Sequence, residues 1–142
     1  MTEALPQEFW QGVEQFNQGQ FYACHDTLEA LWMEASDPQK TFYQGILQIA
    51  VALYHLGNSN WRGAVILLGE GISRLRRYSP NYATIDVEKL LTSSAALLAA
   101  LQQAGPEKIG ERLLGNGAIA TPGEDEALLF PTIVPAQPEE LN

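Results

Sequence analysis

The stretch ACHDTLEALWMEA, residues 23 to 35, places a histidine, a glutamate and a tryptophan at positions 25, 29 and 32. On an α-helix, positions i, i+4 and i+7 lie nearly one above another, so His25, Glu29 and Trp32 share a stripe. Phe21 and Leu28 lie beside it, which marks the stripe as an inward face, and a buried His or Glu needs a partner to offset desolvation. A second polar line, Gln44, Gln48 and His55, recurs at i, i+4 and i+11 along the otherwise apolar FYQGILQIAVALYHLG. The two lines are expected to meet across a helix pair. His25 and Glu29 would then face Gln48 or His55, with Trp32 as an apolar wall or an indole N–H donor.

Three roles fit such a cluster. His25, Glu29 and His55 would bind a divalent metal (zinc, manganese or iron), since two imidazoles and one carboxylate leave an open position for water, with Asp26 as a reserve ligand. Without a metal, Glu29 would orient the imidazole of His25 for acid/base work or small-molecule binding. The third role is a satisfied hydrogen-bond network that fixes the register of two helices. Cys24 precedes His25, but adjacent helical residues point about 100° apart, so Cys24 reads as a small buried core residue and not as half of a Cys-His pair. Gly63, Gly69 and Gly71 lack the spacing and the preceding strand of a phosphate loop, and close helix packing accounts for them. Gly-x-Ser-x-Gly, HExxH and paired-cysteine motifs do not occur.

The elements that must position these residues are helices. Apolar residues recur at three- and four-residue spacing through the first hundred positions, and strand signals there are weak. A first helix follows Pro6, with Phe9, Val13 and Phe16 on one face, and stops at Asn17-Gln18-Gly19. A second runs from about 21 to 35 until Ser36-Asp37-Pro38 breaks it. The third, about 39 to 56, is apolar around most of its circumference and belongs in the middle of a bundle. Asn60 caps a fourth helix, roughly 61 to 78, and a fifth spans about 85 to 104. Arg74, Arg76 and Arg77 then complement the negative end of the fourth helix's dipole.

The predicted fold is a single all-α domain over residues 1–105, about five helices built from antiparallel αα-hairpins with local packing like that of tetratricopeptide repeats. The two hairpin turns, NQGQF and GNSNW, lie about 41 residues apart, against about 34 in that repeat, so a regular solenoid is not expected. Residues 106–142 form an acidic, Gly/Pro-rich tail, largely irregular, whose Leu129, Phe130, Ile133 and Val134 are expected to pack back on the bundle in preference to meeting another subunit. With 142 residues, 46% of them hydrophobic, one substantial core is affordable and two are not. A net charge of -9 argues against a nucleic-acid backbone as partner. The longest apolar run is too short to span a bilayer and MTEALPQEFW does not resemble a signal peptide, so no membrane association is expected. The single cysteine, Cys24, suits a reducing, cytoplasmic location.

HDTLEALW at 25 to 32 fits an HxxxExx(W/Y) pattern, preceded by FNQGQFYAC and followed by FYQGILQIAVALYHLGNSNWRGAVILLGEGISRL. Together these blocks, residues 16 to 77, resemble the family called domain of unknown function 309. The resemblance implies a small all-helical bundle, marks His25, Glu29 and Trp32 as the motif with Gln48 and His55 as companions, and brings a suggestion of metal binding. Where many members have Glu after the motif histidine, this chain has Asp26, whose shorter side chain weakens a ligand role there. Two functions follow as expectations: a protein-interaction or scaffold module, with a protein partner or self-association, or a divalent-metal protein, a hydrolytic enzyme included, using His25, Glu29 and His55.

Overall fold

A computed structural model describes residues 5–114, 117–121 and 127–137. Six helices carry the architecture: α1 (Gln7–Asn17), α2 (Phe21–Glu34), α3 (Gln39–Gly57), α4 (Trp61–Leu75), α5 (Val87–Ala104) and the single turn α6 (Ile109–Arg112). The links at 18–20, 35–38 and 58–60 are so short that each helix returns antiparallel along its predecessor. Packing is correspondingly serial, α1 on α2, α2 on α3, α3 on α4 and α4 on α5, with the α3–α4 contact the most extensive.

The helix ends follow from local chemistry. Gly19 takes a positive φ of 78° after α1, a conformation open to glycine at no steric cost. The Asn60 Oδ1 accepts from Gly63 N at 3.0 Å to cap α4, and Asp86 Oδ1 accepts from Lys89 N at 2.9 Å to cap α5, each satisfying an orphan first-turn donor. That cap starts the fifth helix at Val87. Residues 85 and 86 instead pair with 81 and 82 as a two-stranded turn, β1 (Asn81–Tyr82) and β2 (Ile85–Asp86). The fourth helix likewise stops at Leu75, and Arg76–Tyr78 tighten into a 3₁₀ turn.

The core runs along α3, which buries Phe42, Tyr43, Ile46, Ile49, Ala50, Leu53 and Leu56 between its neighbours. Gly45 and Gly71 let α3 and α4 approach, since a Cβ on Gly71 would stand only 2.9 Å from the Gly45 carbonyl oxygen. Close packing therefore accounts for Gly71, and for Gly63 against His55 and Asn60, whereas no described atom lies within 4 Å of a Cβ on Gly69.

The described residues of the tail include short strands and core contacts. Residues Leu113–Leu114, Ala118–Ile119 and Leu128–Leu129 form an antiparallel three-stranded sheet (β3–β5), and Ile109, Ile119 and Ile133 are buried in the common core. Phe130 packs against that core while Leu129 is 68% exposed. Buried isoleucines, not local propensity, thus hold strands of two residues that are too short to be read from the sequence. Among the described residues no helix is long and apolar enough to cross a membrane.

Candidate functional site

The buried residues of α2 are Cys24 and Leu28, with Phe21 and Leu31 partly buried against the core. His25 and Glu29 each follow a buried residue by one position, so they are rotated about 100° from the core direction. The structure accordingly corrects the inward reading of their stripe: the side chain of His25 is 28% exposed and that of Glu29 49%. Burial of Cys24 pushes its thiol up to about 12, which keeps it neutral and unreactive.

His25 has a carboxylate at each ring nitrogen. Nε2 lies 3.3 Å from Glu29 Oε2, and Nδ1 lies 3.2 Å from Asp26 Oδ1. A protonated imidazole donates to both, a neutral one to only one. Trp32, one turn further on, has a buried indole Nε1 with no hydrogen-bond partner among the described residues. Lys40 of α3 covers it, its ammonium 4.3 Å from the ring centroid and Nζ donating to the Trp32 carbonyl at 2.9 Å. The lysine combines a cation–π contact with satisfaction of a C-terminal carbonyl of α2.

The companions expected from α3 turn to α4 instead. Gln48, 8% exposed, donates from Nε2 to Glu70 Oε1 at 2.9 Å and accepts from Arg74 Nη1 at 3.3 Å. Asn60 Nδ2 donates to His55 Nδ1 at 3.3 Å. The other end of that carboxamide is fixed as an acceptor by Gly63 N, which places the proton of a neutral His55 on Nε2. His55 is thus tied to the α3–α4 turn and is not brought to His25 and Glu29. Among the described residues no three His, Cys, Asp or Glu side chains are grouped to hold a metal ion. The three-ligand set His25, Glu29 and His55 is not assembled, because each histidine engages partners local to its own turn.

The geometry defines a strip in place of a closed pocket. Lys40, Gln44, Leu47, Val51 and Tyr54 succeed one another at three- and four-residue spacing along the outer face of α3. On one flank stands α2, through Lys40 over Trp32 and through Tyr54, whose ring centroid lies 5.4 Å from that of Tyr22. His25 sits between Tyr22 and Trp32 on that flank. On the other stands α4, through Gln48 with Glu70 and Arg74, and through Gly63 beside His55. Gln44, Leu47 and Val51 are partly exposed between them, and the Gln44 carboxamide has no partner among the described residues. Sequence reasoning missed Lys40, Glu70 and Arg74. The i, i+4 spacing of Glu70 and Arg74 on a predicted helix was the available signal. A cavity of 890 Å³ beside Phe16, Phe21 and Phe130 reaches the end of the strip at Tyr54, and one of 430 Å³ lies beside Trp10 and Ile133.

Residues 9–67, which run from within α1 to the first half of α4 and hold both flanks as far as Gly63, match the family model described as domain of unknown function 309 (DUF309). Over this stretch the chain is similar to the DUF309 family. The chain is also 39% identical over 59 residues to the uncharacterized protein YpuF of Bacillus subtilis (strain 168). That match covers 39% of this chain and 33% of YpuF, so the chain spans about a third of the length of this curated relative. Glu70, Arg74, α5 and the tail strands lie outside the DUF309 match.

Proposed function

We propose that the chain is a protein-interaction module that receives a partner segment along the outer strip of α3, between the His25–Glu29 pair and the Gln48–Glu70–Arg74 network. The observation that supports this reading is the combination of a partly apolar floor with hydrogen-bonding groups already held on both sides. Leu47 and Val51 keep surface in water, and covering it would be favourable by about 25 cal/mol per Å². The rim groups are paired before a partner arrives, so they supply register and orientation at little ordering cost. Tyr22 and Tyr54, 59% and 40% exposed, extend the surface at one end, and tyrosine is enriched at protein interfaces.

The test places a photo-crosslinking amino acid at Gln44 in the host cell, with Thr92, exposed on α5, as control. The expected result is one partner captured from position 44 and not from 92, whose purified form binds the parent chain and binds Glu29→Gln and Gln48→Ala variants at least tenfold more weakly. Capture equal from both positions, or purified binding indifferent to those substitutions, would contradict the reading.

A further inference from the structure

The outer strip of α3 has a period of its own. Lys40, Gln44, Leu47, Val51 and Tyr54 are spaced four, three, four and three residues apart, the heptad spacing that keeps one seam of a helix facing a second helix. The strip runs about 21 Å, or four helical turns. Its floor is the main chain of α3, whose N–H and C=O groups at Leu47 and Val51 are paired within the helix. An extended segment covering those two side chains would bury a donor and an acceptor at every residue and meet no free main-chain group there. Side chains do not supply the missing ladder, because Glu70 and Arg74 take both ends of the Gln48 carboxamide, which leaves Gln44. A helical segment pairs its own main chain and needs only side-chain contacts from the strip.

The two flanks differ in charge. Tyr22, His25, Glu29 and Trp32 form the edge of α2 along the strip, its ends fixed against Tyr54 and Lys40. This helix carries no Lys or Arg, and His25 stands 3.2 Å from the Asp26 carboxylate and 3.3 Å from that of Glu29. One imidazole between two carboxylates leaves the group negative even when the ring is protonated. Both acids face water, their side chains 65% and 49% exposed. Lys40 brings its charge to the far end, over Trp32. On the other flank Glu70 and Arg74 are joined through Gln48 and balance each other. Resting on the docking reading above, we infer that the segment received is an amphipathic helix of a partner protein, about four turns long. It is apolar at three- and four-residue spacing where it covers Leu47, Val51 and Tyr54, and it carries Lys or Arg on the side that faces Glu29. Charge opposite in sign along one rim sets which way the helix is rotated and rejects acidic segments.

The test moves a photo-crosslinking amino acid through positions 44, 47, 51 and 54 of the intact chain and maps by mass spectrometry the partner residue captured from each. The captured residue is expected to shift by three or four at every step, about ten in all, because both helices rise about 1.5 Å per residue. An extended segment covers the same distance, about 15 Å, in about four or five residues. That shorter span would overturn the inference while leaving the docking site in place. No capture from any of these positions would overturn the docking reading and the inference with it. Glu29→Lys is expected to weaken binding of the mapped partner at least tenfold, and changing the partner's Lys or Arg within one turn of the captured residues to Glu is expected to restore it to within about threefold. A mapped segment without such a basic residue, or a charge exchange that restores nothing, would overturn the inference as well.

Discussion

Two glycines of α4 give a paired test of why that helix lies so close to α3. A Cβ on Gly71 would stand 2.7 Å from Ile49 Cγ1, 2.9 Å from Gly45 O and 3.2 Å from Ile49 N. The first atom can rotate away, but the other two are α3 backbone. Relief therefore requires the helices to separate by roughly 0.5 Å to restore ordinary van der Waals distance. Overpacking of this kind costs about 1–3 kcal/mol, and the better helix propensity of alanine returns about 1 kcal/mol. Because two of the three contacts are backbone that cannot rotate away, the upper part of that range applies, about 2–3 kcal/mol, and Gly71→Ala should lose about 1–2 kcal/mol net, a fall in Tm of about 3–8 °C. Gly69→Ala, two residues earlier with no described atom beyond its own helix backbone within 4 Å, keeps the propensity gain of about 1 kcal/mol alone and should rise by about 3–4 °C. Thermal and urea denaturation followed by circular dichroism would measure both. A Gly71→Ala chain as stable as the parent, or equal to Gly69→Ala, would refute the close-approach argument.

Asn60→Ala removes the cap of α4 and should cost about 1 kcal/mol in urea denaturation, with Asn60→Asp largely retaining the cap. Cys24, its thiol held neutral by burial, should resist a thiol reagent at pH 8 in the native chain and react fully in denaturant; rapid native labelling would show that the thiol is not enclosed. Hydrogen bonds from Thr41 hold the Asp37 carboxyl below its usual range. A lowered folded pKa contributes stability above about pH 4 that is lost as pH falls through the folded value, so the Tm difference between parent and Asp37→Ala should narrow as pH falls below about 4. Glu29→Gln breaks a half-exposed contact and should change stability by less than about 1 kcal/mol; a larger loss would mark the pair as a structural element.

The helices were legible because burial imposes a period: Phe9 and Phe16 on α1, Cys24 and Leu28 on α2, and the nearly all-round apolar α3 each name the face that packs. The polar pair His25–Glu29 was legible for the same reason, and the two side chains do meet. Which way the pair points was not, because Phe21 and Leu28 border the stripe and only the packed neighbours decide on which side of that border the core lies. The partners of Gln48 were hidden for a different reason. Glu70 and Arg74 reach it across a helix contact whose register depends on Gly45 and Gly71, and periodicity within one helix carries no information about that register. The tail strands were illegible because two-residue strands have no period at all, and the extended residues 133–136 that follow them are held by distant groups, Asn17 and the 84–86 backbone.

The central claim is that the outer strip of α3 is where a partner docks. The most direct measurement is the Kd of the partner crosslinked at position 44, taken by calorimetry on the parent, on Val51→Glu and on the Thr92→Glu control. The account predicts at least tenfold weakening for Val51→Glu, with the fold intact by circular dichroism, and no change for Thr92→Glu. Equal affinities for the parent and the strip variant would contradict it.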